Sequence, residues 1–205
     1  MYEKVLLWAT PAFIVMMAIE AVIAAIRGRS RYRIADALTS ISLGALSTYV
    51  GVFTRLLSYG VYVWVYNDAR LWTLDADAPV VWILGLLTYD FLYYWNHRLG
   101  HTVNILWAAH VVHHQSEEFN LSTALRQTSS GFLLSWIFYL PMALAGVPPA
   151  LFLVFSLVDL LYQFWIHTEQ VGMLGWFDRV FAYRRTIACT TGSTRSISIA
   201  TTAGS

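Results

Sequence analysis

Four apolar stretches, Val5 to Ile26, Ala37 to Val65, Pro79 to Trp95 and Gly131 to Ile166, occupy about half of this 205-residue chain. A helix crosses the roughly 30 Å hydrocarbon core of a bilayer with about 20 residues, each rising about 1.5 Å. Each stretch approaches or exceeds that length. Inside hydrocarbon the backbone must satisfy its own hydrogen bonds, and helices do so without a closed barrel. The expected fold class is therefore all-α, a polytopic membrane helical bundle.

The first stretch is interrupted only by Pro11 and Glu20 and lacks the short core and small-residue cleavage pattern of a removable signal, so it reads as a retained span. The second is long enough for one tilted span or for two helices meeting near Arg55. The last is split by Gly146-Val147-Pro148-Pro149, which cannot continue as helix, and reads as a helical hairpin, spanning or re-entrant. Composition agrees: 58% of residues are hydrophobic and 12% are charged, where soluble domains carry about 25% charged residues. The mean hydropathy is +0.55. Nine Trp and twelve Tyr supply interfacial anchors. A net charge of +1 gives no reason to expect nucleic acid, and Cys189, the one cysteine, allows no internal disulfide.

Arg27, Arg29, Arg31 and Arg33 crowd the first connection, whereas Asp68, Asp75 and Asp77 occupy the next. The positive-inside rule puts the arginine connection in the cytoplasm and the acidic one across the membrane. The third span then delivers His97 to the cytoplasmic face, and the hairpin returns His167 there.

Five of the six histidines fall within eighteen residues, as His97-x-x-x-His101 and His110-x-x-His113-His114. Residues three and four apart share a helix face, so these imidazoles can reach a common centre large enough for two metals. Neutral imidazole suits iron, zinc, copper or nickel, and no cysteine lies nearby to make a thiolate site. The bland alternative is a set of polar residues at a span's end. A metal transporter is the rival function, but transporters place ligands near the midplane on broken helices; these histidines sit at a span's end and in the amphipathic segment after it. An all-imidazole metal pair at the mouth of a lipid-facing bundle suits oxygen chemistry on an apolar substrate.

The segments Tyr89-Asp90-Phe91-Leu92-Tyr93-Tyr94-Trp95-Asn96-His97-Arg98 and Leu106-Trp107-Ala108-Ala109-His110-Val111-Val112-His113-His114 resemble the fatty acid hydroxylase superfamily, also called the sterol desaturase family. Asn120 to Gln127 and Leu161 to Glu169 are similar to its alkylglycerol monooxygenase branch. The resemblance covers roughly Trp82 to Ala182. It implies an integral-membrane non-haem di-iron oxygenase that uses O2 to hydroxylate a lipid: a fatty acyl chain, a sterol or an alkylglycerol ether. Tetrahydrobiopterin or another electron donor is the implied partner. The implied metal ligands are His97, His101, His110, His113, His114 and His167. Asp90 is placed to accept an imidazole N–H or to serve in packing or helix capping. Glu117, Glu118 and Glu169 are either similar acceptors or solvated carboxylates. Arg126 and Gln127 are candidates for a headgroup or cofactor contact, or for simple membrane-surface polarity.

The expected organisation is N-terminal transmembrane helices over residues 1–78, a hydroxylase-like domain over 79–182 and an aberrant tail over 183–205. The resemblance implies one more His-x-x-His-His box shortly after Leu174-Gly175-Trp176-Phe177-Asp178, and the sequence has none there. A Ser/Thr-rich stretch expected to be disordered takes its place. Codons begun at the third base of each residue's codon can read N-H-R-V-H-H-G-V-N from Arg185 and Y-L-D-R-N-Y-G-G from Ser196. This frame can supply the missing box, so a frameshift near Ala182 to Arg184, in the gene or in its sequencing, is expected. Two readings follow: a di-iron lipid monooxygenase whose tail is out of frame here, or a non-catalytic membrane protein with a partial metal site.

Overall fold

The computed structural model describes residues 2–28, 33–116, 120–165 and 167. Among these residues the structure is helical, without a strand. Helix α1 spans Tyr2–Ile26 and ends in a turn at Gly28, whose φ of +62° suits a residue without a side chain. Helix α2 spans Ile34–Ala69 and continues past Arg55 as one element of 36 residues. Its length is about 54 Å, more than the roughly 30 Å of a bilayer's hydrocarbon core.

At Arg70 the chain turns extended, and the Leu71 N–H donates to the Leu144 carbonyl at 2.7 Å. Helix α3, Pro79–Thr102, opens on a proline whose missing N–H costs nothing at a helix start. It carries on beyond the apolar Trp95 for nearly two turns, which is how His97 and His101 come to stand on its rigid end. Val103 breaks the helix with an extended conformation, and α4, Asn104–His110, packs back against α3. A short 3₁₀ turn, His113–Gln115, follows.

The chain resumes in a strap, residues 120–128, containing the single-turn helix α5, Leu121–Ala124. Asn120 caps it, its side-chain oxygen accepting the Ser122 N–H at 3.0 Å. Then come α6 (Phe132–Ser135), a 3₁₀ turn (Trp136–Tyr139), α7 (Leu140–Leu144) and α8 (Pro149–Trp165). The hairpin's break falls at Gly146, as the Gly-Val-Pro-Pro run requires: φ is +82°, and a Cβ there would collide with the Trp72 carbonyl.

The apolar core lies between α2, α3, α7 and α8, around Tyr62, Tyr89, Met142 and Phe155. The Tyr62 hydroxyl donates to the Val147 carbonyl at 3.0 Å. Gly85 admits Phe155, whose ring would sit 2.5 Å from a Cβ at that position. Phe13 stacks on Phe164 at 3.9 Å and ties α1 to α8.

The helices are apolar outside and polar within at one end. Val52, Phe53, Leu56 and Leu57 of α2 and Ile83, Leu84, Leu87 and Phe91 of α3 are exposed, whereas Glu20, Ser40 and Arg126 are buried. Among the described residues α2 alone is both long and apolar enough to cross a membrane; Pro11–Ile26, Leu133–Leu144 and Pro149–Phe164 are shorter apolar helices. Asp36, at the start of α2, accepts the Ser116 hydroxyl at 2.5 Å, so the histidine turn lies at the arginine-flanked end of α2. The loop with Asp75 and Asp77 lies at the other end, beside Gly146.

Candidate metal centre

The helical spacing of His97 and His101 on α3 brings their Nε2 atoms to 3.1 Å. The return of α4 sets His110 Nε2 at 3.3 Å from His101 Nε2, and His114 Nε2 follows at 3.0 Å from that of His110. The ligand atoms of His97, His101 and His110 all lie within 4.8 Å of one another. His113 turns the other way and meets His167, with Nε2 atoms 3.4 Å apart. The two groups adjoin: the His113 ring lies 5.8 Å from that of His110 and 5.3 Å from that of His114. All six sequence-predicted histidines therefore belong to one cluster.

The donor set fits metal ions. Two nitrogens bound to one ion at about 2.1 Å stand about 3.0 Å apart at a right angle and about 3.4 Å apart at the tetrahedral angle. The Nε2 separations along the cluster, 3.0 to 3.4 Å, span that interval. A second observation concerns the hydrogens. His113 Nδ1 lies 2.9 Å from the Arg126 carbonyl and His167 Nδ1 2.6 Å from the Gln163 carbonyl. A carbonyl only accepts, so each Nδ1 carries the hydrogen and each Nε2 presents a lone pair. The two lone pairs face each other and call for a cation between them.

A proton is a poor candidate for that cation. Burial lowers the pKa of His113 and, reinforced by the charge of His113, holds His167 at about 4. Burial first, then the neighbouring imidazoles, push His110 to about 2 and His114 to about 3. The cluster thus offers neutral imidazoles at physiological pH, the form that ligates.

The other sequence candidates separate. Asp90 stands exposed on α3, about two turns before His97, and among the described residues no histidine hydrogen-bonds it. Gln127 is exposed, and its amide donates to the Ala124 carbonyl at 3.1 Å. Arg126 is not a surface residue: its side chain is 5% exposed, and Nη2 pairs with Asp36 Oδ1 at 2.9 Å while Nε donates to Ser40 Oγ at 3.1 Å. Glu117, Glu118, Glu169 and the tail over 183–205 lie outside the described residues.

Sequence reasoning missed the support around the imidazoles. Asp36, Ser40, Gly44 and Ser47 all face the strap: the first two hold Arg126, Gly44 would place a Cβ 2.5 Å from the Leu125 carbonyl, and Ser47 Oγ donates to the Thr128 carbonyl at 3.0 Å. Their spacing of four, four and three is a polar and small stripe on an otherwise apolar helix, a signal present in the sequence. Glu20 of α1 also reaches the strap, accepting the Leu121 N–H at 2.8 Å.

Comparison with known proteins agrees with this arrangement. The profile described as fatty acid hydroxylase matches residues 82–189, the region that carries every histidine of the cluster. Alkylglycerol monooxygenase from Homo sapiens is 48% identical over 168 residues, covering 82% of this chain and 38% of that protein. The alkylglycerol monooxygenases of Xenopus tropicalis and Danio rerio are 45% and 43% identical, each over 82% of this chain and 37% of their own length. The chain thus spans less than two fifths of the length of these relatives, and no solved structure matches it. With a matched profile over more than half its residues and relatives this similar, the chain belongs to the fatty acid hydroxylase family.

Proposed function

We propose that the protein is a multi-pass membrane oxygenase that hydroxylates a lipid with O2 at a di-iron centre on the cytoplasmic face. The observation that carries this reading is the convergence of six imidazoles, with His113 and His167 oriented Nε2 to Nε2. His97, His101, His110 and His114 would hold one ion, and His113 with His167 would contribute to a second. When bound, the iron pair supplies reduction of O2 and an oxidant able to remove hydrogen from an unactivated C–H bond.

The chain's residues do the rest. The Arg126 and Gln163 carbonyls fix which nitrogen of His113 and His167 is available. The exposed aliphatic and aromatic side chains of α2 and α3 match acyl chains, and so large an outward apolar surface favours a membrane setting. The arginines at the histidine end favour the cytoplasmic side. Because the similar proteins are alkylglycerol monooxygenases, an alkylglycerol ether is the first lipid to try, with fatty acyl and sterol substrates next and tetrahydrobiopterin as the first electron donor.

One sequence observation favours a second reading for the 205 residues as they stand. No histidine follows His167, so the last family box is absent from the stretch where the alternative frame can encode it. On that reading the chain is an inserted membrane protein with a partial metal site. The test is to purify the chain and a version with the tail in the alternative frame from the same membranes. Each is then given iron, a reduced pterin and the ether lipid. About two irons and hydroxylated product in the frame-restored protein support the proposal. Absence of iron and product in both forms overturns it.

A further inference from the structure

The geometry points to Asp36 and Arg126 as positioning residues for His113: a carboxylate on α2 fixes the guanidinium, and with it the Arg126 carbonyl that receives the His113 Nδ1 hydrogen. This rests on the reading of the cluster as a metal centre. Asp36 lies outside the matched profile, so the assignment brings an N-terminal helix into the construction of the site.

A carbonyl in a loop turns readily unless something holds its peptide. Around Arg126 the strap's own restraints are turn bonds, from Arg126 N–H to the Thr123 carbonyl at 3.0 Å and from Gln127 N–H to the Leu125 carbonyl at 2.8 Å. The additional hold comes from α2. Asp36 Oδ1 takes Arg126 Nη2 at 2.9 Å and Ser40 Oγ takes Nε at 3.1 Å, so the planar guanidinium is fixed at two points. The other oxygen of Asp36 takes the Ser116 hydroxyl at 2.5 Å, two residues past His114, and Ser116 also meets Thr123 Oγ1 at 3.1 Å. One carboxylate therefore links the end of the histidine turn to the strap whose carbonyl orients His113. The pair is shielded, with Arg126 5% and Asp36 14% exposed, so water competes weakly for it. The carbonyl decides which nitrogen of His113 bears the hydrogen and hence whether Nε2 is free to ligate. Loss of such an imidazole partner typically weakens metal binding about 10- to 100-fold.

Asp36→Asn alone leaves a buried guanidinium short of its counter-charge and can cost the fold, so the informative variant is the apolar pair Asp36→Leu with Arg126→Met, which leaves no orphaned charge. Two readouts are taken on the full chain in detergent or nanodiscs. In metal-free protein, the His113 ring nitrogens are followed by 15N resonance; in a titration, Co(II) affinity and visible spectrum are recorded. The wild type is expected to show a pyrrole-type Nδ1 at His113 and the paired variant a mixture of tautomers. The variant's affinity for the second, weaker Co(II) equivalent, the one His113 helps to hold, is expected to fall at least 10-fold, within the range for a lost imidazole partner. In a His113→Ala background the paired substitution is expected to change Co(II) affinity no further, which a general loss of structure would not reproduce. A folded paired variant that keeps both the Nδ1–H resonance and the Co(II) affinity overturns the assignment, as does an additive effect in the His113→Ala background. A paired variant that does not fold is replaced by Ser40→Ala, judged by the same resonance and the same affinity. A wild type that binds no Co(II) defeats the metal reading itself, while the resonance still decides whether Asp36 and Arg126 orient His113.

Discussion

His113 and His167 stand Nε2 to Nε2 at 3.4 Å although 54 residues separate them, and the Nδ1 of each is committed to a backbone carbonyl. Without a cation the two lone pairs oppose each other; with one they become its ligands. The signs of the two effects differ, which makes the pair testable by stability alone. His167→Ala is expected to cost the metal-free protein less than the loss of a buried ring usually does, because the opposed lone pairs are relieved. At Co(II) concentrations that fill the weaker His113–His167 site it should lack the added stabilisation that this second ion gives the wild type, about 2.7 kcal/mol at 100 times that site's Kd. Thermal melts with and without Co(II) decide, and equal metal-induced stabilisation in both proteins counts against His167 as a ligand.

Gly44 and Gly60 lie on the same helix in opposite circumstances. A Cβ at Gly44 would stand 2.5 Å from the Leu125 carbonyl, a backbone atom that moves only with the whole strap, whereas a Cβ at Gly60 meets nothing within 4 Å. Gly60→Ala is therefore expected to be neutral or to stabilise by up to about 1 kcal/mol, through helix propensity alone. Gly44→Val is expected to destabilise by about 1–3 kcal/mol, the usual cost of overpacking, and to weaken Co(II) binding because the strap carries the carbonyl that orients His113. Denaturation and metal titration of the two variants side by side check both statements; a Gly44→Val protein with wild-type metal affinity separates the strap from the site.

The long apolar helices and the histidine cluster were legible because each rests on local pattern. Apolar runs of helical length mark α1, α2, α3 and α8, and the Gly-Val-Pro-Pro run marks the turn before α8 through backbone chemistry alone. Histidines four apart on one helix must share a face, so His97 and His101 followed from spacing. The rest depends on contacts between segments far apart in the chain, where periodicity is silent. Arg126 is the clearest instance: by sequence it was a candidate for a headgroup or cofactor contact or a polar residue of the membrane surface, and its burial against Asp36, 90 positions earlier, left no local sign. His167 is similar, since a lone histidine after an apolar helix carries no local sign of a partner at His113. Whether α2 was one helix or two was equally open from sequence; the structure carries one continuous helix past Arg55, and no proline between Ile34 and Ala69 interrupts it.

The histidine end and the arginine-flanked end of α2 coincide because Asp36 binds both Arg126 and Ser116. If the positive-inside rule governs this chain, both face the cytoplasm, and the loop with Asp75 and Asp77 faces the other compartment. With Cys189 replaced by Ser, a Cys at Ser30 is expected to resist an impermeant thiol reagent applied to intact cells, and a Cys at Ala76 to react. The reverse pattern would invert the orientation while leaving the shared end of the bundle untouched.

The tail carries the sharpest difference between the two readings of activity. His97, His101, His110 and His114 form a connected set of Nε2 contacts, whereas His113 and His167 are a pair with fewer imidazoles around them. A second ion held by two imidazoles would be loosely bound, and the alternative frame would add three more within the His-x-x-His-His box. The chain as it stands is therefore expected to bind about one equivalent of metal tightly and to hydroxylate no lipid, whereas the frame-restored protein is expected to bind about two and to turn over. The helices before His167 depend on apolar burial and not on the metal, so both forms should insert and melt alike when metal-free. Nucleotide sequence across the codons for Phe181 to Thr191 establishes which form the gene encodes. Metal content and product analysis of both forms then test the chemistry: equal iron and equal hydroxylation would show that the added box is dispensable, and that six imidazoles suffice for the reaction.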